Sequence, residues 1–226
     1  MTIVFPRPLP ASGAGQQLFD IQRVDFQSPE AGGRVGGVQA GFPLWIATWT
    51  LARLPRALSD EWHAWLRSMR GAQKRFLGRD FARTYPRAYP SGFGGMTRAG
   101  GGAFAGAATS WSQAIDSAGN ALLTLNGLPA GFVLSHTDLI GFQWSTGSRR
   151  TIASVVEPAN ANGAGTVTVG IEPPIPSLIV PAGAVAHFDA PACVMGLVTG
   201  DTKVAPIDRR LVITGTTVAA VQDLRP

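Results

Sequence analysis

The sequence predicts a mainly β fold with one packed helix: an α+β chain whose N-terminal part is split-β-barrel-like and whose second part is a small β-barrel or sandwich. Three observations predict it. Leu44–Ala52 alternates, with Trp45, Ala47, Trp49 and Leu51 on one face and Thr48 and Thr50 on the other, the period of a half-buried strand. Trp62, Trp65, Leu66 and Met69 recur at i, i+3, i+4 and i+7, the apolar stripe of an amphipathic helix. From Trp111 onward, short apolar runs are separated by turn residues, the spacing of a barrel or sandwich.

A chain of 226 residues suits one large domain or two small ones and can bury a substantial core. Its 28 glycines and 17 prolines make it rich in loops, while a 45% hydrophobic fraction is that of a folded chain. The single cysteine, Cys193, excludes an intrachain disulfide and fits folding in a reducing compartment. No stretch approaches the ~20 apolar residues of a membrane span. The opening MTIVFPRPLPASGAG has no basic segment before its apolar residues and does not read as a signal peptide. The net charge of +5 comes from seventeen arginines against two lysines, Lys74 and Lys203. The arginines of the central stretch are interleaved with acids and aromatics and form no tract, which argues against sequence-specific nucleic-acid binding and suits inter-subunit ion pairs.

In chain order, residues 1–17 read as extended and Leu18–Phe26 as one strand, with neither face cleanly apolar. Gln27–Gly41 reads as a turn or hairpin loop around Val35 and Val38. After the Leu44–Ala52 strand, a helix is expected over about 59–70. Ser59 would be its N-cap, with Asp60 and Glu61 in the first turn, Arg67 and Arg70 towards the end, and Gly71 in the left-handed stop. Phe76-Leu77 reads as a short returning strand, and Asp80, Arg83, Pro86 and Pro90 mark an exit. Residues 1–92 thus form a first part, with strands from 194–220 as candidates to complete it. Residues 93–110 form a glycine-rich loop or linker, and 111–226 a β-rich second part. Strands are expected at Ala121–Asn126, Gly131–Leu134, Asp138–Phe142, Ala184–Phe188, Val194–Val198 and Leu211–Thr214. Thr151–Val156 and Thr166–Ile171 should pair as a hairpin.

Catalytic signals are weak. Gly100-Gly101-Gly102-Ala103-Phe104-Ala105 fits G-x-G-x-x-A, but no strand precedes it, and Asp116 and Asp138 miss the spacing of the ribose-binding acid. His136 with Asp138 and His187 with Asp189 have two-residue spacings conceivable in a metal site, without a third ligand pair nearby. Glu157 and Glu172 are a conceivable carboxylate pair, yet each precedes a proline at a strand end. There is no G-x-S-x-G, and Cys193 lies in apolar surroundings. Trp45, Trp49, Trp62 and Trp65 have core spacing rather than that of a sugar platform. These residues point to no enzyme, no cofactor and no metal.

The helix followed by LRSMRGAQKRFLGRD and a Tyr-Pro, then Asp138-Leu139-Ile140, Arg150-Thr151-Ile152 with Val155-Val156, Gly163–Pro173 and Val180–Leu197, resembles in order a family of bacteriophage tail proteins. Asp138 follows Thr137 where that family has glycine. The resemblance covers about residues 42–200 and implies a virion tail-tip protein similar to the distal tail proteins of long-tailed phages. Such proteins form a homo-oligomeric, usually six-fold ring between the tail tube protein and the hub and receptor-binding proteins. The protein would be made in the host bacterial cytoplasm and end in the virion. Under the resemblance, Arg67, Arg70, Arg75, Arg79 and Arg83 would face acids on neighbouring subunits. The alternative is a tail-associated carbohydrate-binding β module for host-surface recognition, with Trp111 and Trp144 as its candidate aromatics. A third class, a cell-wall-degrading enzyme, would need a carboxylate pair.

Overall fold

The computed structural model describes residues 3–11, 13–29, 32–33, 35–206 and 215–224. In order, the strands are β1 (Arg7–Pro8), β2 (Ala14–Gln22), β3 (Asp25–Pro29), β4 (Val35–Gln39) and β5 (Leu44–Leu51), then helix α1 (Arg56–Ser68) and β6 (Arg75–Arg79). Next come β7 (Ser110–Ile115), β8 (Ala121–Asn126), β9 (Val133–Leu134), β10 (Leu139–Trp144), β11 (Arg149–Val155) and β12 (Ala159–Asn160). The last are β13 (Val167–Glu172), β14 (Val185–His187), β15 (Ala192–Leu197) and β16 (Thr217–Gln222). The coarse class is as expected: mainly β, with a single α-helix among the described residues. The chain divides into two compact units. The smaller is Pro10–Gln73 with Gly196–Asp223; the larger is Met1–Leu9, Lys74–Met195 and Leu224–Pro226.

In the smaller unit β5 is flanked by two antiparallel neighbours, with Trp49 opposite Gln17 on β2 and opposite Val218 on β16. Trp45, Ala47, Trp49 and Leu51 are all buried, so the alternation read in the sequence is the alternation of burial. Phe19 of β2 lies 5.2 Å from the Trp45 ring and 6.2 Å from that of Trp49, centroid to centroid. Helix α1 buries Trp62, Trp65 and Met69, and the two indoles meet edge to face at 5.8 Å. Just before β2 the chain runs so close to α1 that a Cβ at Gly13 would lie 2.7 Å from Trp62 Nε1.

The helix begins four residues earlier than the capping pattern indicates. Pro55 takes the N-cap position with extended ψ; its ring fixes φ and keeps Leu54 out of the helical region, so the first turn starts directly after it. Ser59 then falls inside the helix, where it is buried and its N–H donates to Pro55 O. Asp60, beyond the first turn, pairs with Arg56 at 3.6 Å on an exposed face, an arrangement of small energetic weight. The end follows expectation more closely: Arg70 and Gly71 both have left-handed φ, 50° and 65°. The single strand read over Leu18–Phe26 is two strands, β2 and β3, separated at Arg23-Val24. The strand expected at Leu211–Thr214 lies outside the described residues.

In the larger unit six antiparallel strands follow the order β14-β10-β11-β13-β8-β7. The hairpin anticipated between β11 and β13 forms, with Val155 opposite Ile171, and β12 in its loop pairs with β9. The edge strands β7 and β14 are near each other: Ala108 N–H donates to Ala186 O, and Trp111 Nε1–H to Ala184 O at 2.7 Å. No continuous ladder joins them among the described residues, so the sheet curls without closing into a barrel. Its interior holds Leu123, Leu125, Phe142, Val155, Val169 and Ile171 with an aromatic cluster of Phe93, Phe104, Phe132 and Phe188. The glycine-rich stretch supplies two of those rings, Phe93 and Phe104. It is held down by Arg98, whose guanidinium lies 5.3 Å from the Phe104 centroid and donates to Gly127 O and Ala107 O. That stretch is therefore a packed loop inside the larger unit. Residues 74–79 also belong to this unit, where β6 runs parallel to β1.

Candidate assembly surface

Two features of the smaller unit, consecutive in sequence, present groups that a monomer ordinarily covers. The first is the edge of β2, which among the described residues pairs with β5 alone. Leu51 N–H donates to Thr216 O and Ala52 N–H to Gly13 O, so along β5 the backbone groups of Thr50, Thr48 and Ile46 turn towards β2. Their partners Gln16, Leu18 and Asp20 direct their own backbone groups to β5, and by strand alternation Phe19 and Ile21 direct theirs outward. One of these outward groups, Ile21 N–H, is taken by the Asp20 carboxylate at 2.8 Å. An edge strand of this length is a template for pairing with another chain.

The second feature is the β3–β4 hairpin. Phe26 pairs with Val38 and Pro29 with Val35, and Ala40 N–H donates to Val24 O at 2.8 Å, extending the ladder. Val24, Phe26 and Val38 therefore share one face, and it is exposed: Phe26 is 67% and Val38 70% accessible. Val35, on the opposite face, and Leu18 of β2 are also exposed. Contiguous exposed apolar side chains of this kind mark an interaction surface. The sequence placed a hairpin loop around Val35 and Val38 but not this face, because Phe26 and Val38 become neighbours only through the register of β3 on β4.

The five arginines assigned to neighbouring subunits are divided between the two units. Arg67 and Arg70 are exposed at the end of α1 in the smaller unit. Arg75 and Arg79 are half-buried on one face of β6 in the larger unit. Arg79 stacks on Phe81, its guanidinium 4.9 Å from the ring centroid. Arg83 bonds Asp80 Oδ2 at 2.6 Å, and Asp80, itself buried, also accepts Ala82 N–H. Arg79 and Arg83 thus have partners within the chain.

The residues weighed for catalysis are occupied in other ways. Asp138 is buried, with Oδ1 accepting Arg87 N–H at 2.9 Å and Oδ2 accepting Ser135 N–H at 2.7 Å. His136 is exposed, its Nδ1 bonded to Val156 O at 2.8 Å, and it lines a groove of about 550 Å³ with Arg83, Tyr85 and Arg87. His187 Nδ1 donates to the carbonyl of Asp189, not to its carboxylate. Glu157 is exposed beyond β11, while Glu172 is half-buried at the end of β13. Burial raises the pKa of the Cys193 thiol far above its ordinary range, so the group is not a nucleophile. Gly100–Gly102 lie in a loop, with neither strand before nor helix after. Among the described residues no three His, Cys, Asp or Glu side chains gather as metal ligands, and no helix is long and apolar enough to cross a membrane.

His187 gives a pH dependence. Burial, reinforced by the charge of Arg150 and opposed by the bond to Asp189 O, holds its pKa below the ordinary histidine value. The unfolded chain therefore binds a proton where the folded one stays neutral, and stability falls as pH drops below about 6.5, by at most ~1.4 kcal/mol per pH unit. The urea midpoint is expected to be lower at about pH 5.5 than at about pH 7.5. His187→Gln should reduce the difference; an undiminished difference in that variant would place the titration elsewhere.

No family model matches the chain, and no curated protein matches it.

Proposed function

We propose that this chain is a structural virion protein of the distal end of a phage tail, forming a ring that connects the tail tube to the hub and receptor-binding apparatus. The observation that carries the reading is the exposed Val24, Phe26 and Val38 face of the hairpin that follows β2, together with the edge position of β2 among the described residues. A ring needs each subunit to offer a surface to the next, and heterologous contacts that close give rings. Strand addition on β2 supplies direction, and the hairpin supplies apolar area. The order of motifs over about residues 42–200 and the mainly β fold with its helix support the same reading. Arg67 and Arg70, exposed on the same unit, are available for rim ion pairs with acids of a neighbour; Arg75, Arg79 and Arg83 are offered by the larger unit.

Covering the exposed parts of Phe26 and Val38 against a neighbour contributes about 2–4 kcal/mol per contact. The double variant Phe26→Asp with Val38→Asp is expected to weaken self-association by about 30-fold or more, read by sedimentation and electron microscopy of rings. Both side chains are exposed in the monomer, so its circular dichroism and melting should stay as in the parent. Arg67→Glu and Arg70→Glu should weaken association less, and their effect should fade with salt. Antibody labelling of virions should mark the distal tail tip. Labelling along the tube or on the capsid, or rings from the double variant as stable as the parent's, overturns the proposal.

A further inference from the structure

At the turn end of the β10–β11 hairpin in the larger unit lies a groove of about 620 Å³, lined by Gln143, Thr146, Gly147, Arg150, Pro181 and Val185 among others. Gln143 stands opposite Arg150 of β11 and opposite Val185 of β14, so the three side chains rise from one face of the sheet. Trp144 follows Gln143 on the strand and takes the other face, where it packs against the core. Trp111 packs there too: it donates to Ala184 O and meets Phe142 edge-on at 4.9 Å. On the face of Gln143, Arg150 Nε–H donates to Gly147 O at 2.9 Å. A Cβ at Gly147 would lie 3.5 Å from Arg150 Nη2 and 3.8 Å from Gln143 Oε1. Both side-chain ends therefore reach the same glycine, and its missing side chain leaves the space beside them open.

Those two ends are unspent. Among the described residues no carboxylate pairs with Arg150, and neither its terminal nitrogens nor the Gln143 amide makes a hydrogen bond. Arg150 is half-buried, burial lowers its pKa from the ordinary value, and no acid raises it back. A half-buried cation without a counter-ion is costly, and an anion that reaches it recovers that cost. With Nε held by Gly147, the two terminal nitrogens form a fork whose N–H groups match a carboxylate. Gln143 Oε1 is an acceptor, so a carboxylate alone leaves it unpaired. It calls for an N–H close to the anion. Val185, 43% exposed, sets an aliphatic surface on the other side of Gln143.

We propose that this groove binds the C-terminal residue of a partner polypeptide, one with a free carboxylate and an aliphatic last side chain. The Arg150 fork would take the carboxylate, Gln143 Oε1 the last peptide N–H, and Val185 with Pro181 the side chain. Capture of a terminal carboxylate is a recurrent mode of peptide recognition. A phosphate dianion would meet a single cation here, and an acidic side chain would hold its carboxylate away from the peptide N–H. The site stands independently of ring formation, since every residue in it lies in the larger unit.

The test is titration of the isotope-labelled full chain with three peptides: acetyl-Ala-Ala-Leu as the free acid, the same peptide as its amide, and acetyl-Ala-Glu-Ala amide. Affinity is read by calorimetry, and the site by the Arg150 Nε–H signal, identified by its loss in Arg150→Gln. The free acid is expected to shift that signal saturably and to bind at least about tenfold tighter than its amide, the discrimination of one charge-assisted hydrogen bond. The glutamate peptide should bind at least about tenfold more weakly than the free acid. Arg150→Gln should keep the remaining spectrum and lose the preference for the acid over the amide. An amide or a glutamate peptide that binds as tightly as the free acid, or an unchanged preference in Arg150→Gln, overturns the proposal. So does the absence of binding by the free acid.

Discussion

Phe132→Ala is expected to destabilise the larger unit by about 3–5 kcal/mol, the range for removing a fully buried aromatic ring. Phe132 is at the centre of the aromatic cluster: Tyr89 stacks on it at 4.6 Å and 12°, and Phe93, Phe104 and Phe188 surround it at 6.0, 5.3 and 5.1 Å. Tyr89, Phe93 and Phe104 come from the stretch before β7 and Phe188 from just beyond β14, so two separate parts of the chain wall the space and neither alone can collapse to fill it. The loss extends beyond packing. Val133 N–H donates to the Tyr89 hydroxyl at 2.8 Å, and a Tyr89 ring without its stacking partner holds that oxygen less firmly. The glycine-rich loop depends on the same cluster through Phe93 and Phe104. Urea unfolding should show the midpoint falling, with limited proteolysis cutting first within residues 93–108. Phe26→Ala, at a side chain that is largely exposed in the monomer, should change stability by less than about 0.5 kcal/mol. A loss in Phe132→Ala no greater than in Phe26→Ala would refute the placement of Phe132 at the centre.

The parts of this fold that were legible in the sequence are those where burial imposes a period. Strand β5 shows alternate burial because one of its faces is covered, and β8 and β13 keep the same alternation in the larger unit. The helix stripe was equally plain. Its start was not, because Ser59 and Pro55 are competing signals. The proline wins, since its constraint is covalent while a serine cap is worth about 1 kcal/mol. The break between β2 and β3 carries no glycine or proline, so Leu18–Phe26 reads as one strand.

Composition misled where long-range anchors decide. Residues 92–108 have a linker's glycine content, but Phe93, Arg98 and Phe104 fasten them to Gly127, Phe132 and Phe188, which no local window contains. The candidate sites were hidden for the same reason. Phe26 and Val38 are apart in sequence and exposed in the monomer, so no period betrays them. The turn between β10 and β11 uses left-handed Ser145 and Thr146, residue types that do not announce that conformation.

Gly165→Ala is expected to cost about 3–4 kcal/mol, the sum of two separable effects. Gly165 has φ +73°, and a Cβ there would lie 2.1 Å from Leu128 O. The left-handed conformation alone costs an alanine about 1–2 kcal/mol. The clash adds more, because Leu128 O is not the free end of a side chain. It accepts Ala99 N–H at 3.0 Å while Leu128 N–H donates to Gly165 O at 3.0 Å, so displacing Leu128 breaks the tie between the β13 hairpin tip and the glycine-rich loop. Gly131 provides the control. Its φ is +72°, yet a Cβ there meets nothing within 4 Å, so Gly131→Ala should show the conformational cost of about 1–2 kcal/mol and no more. The difference between the two unfolding free energies measures the steric part. Equal losses would mean that Leu128 shifts freely and that the hairpin tip does not anchor the loop.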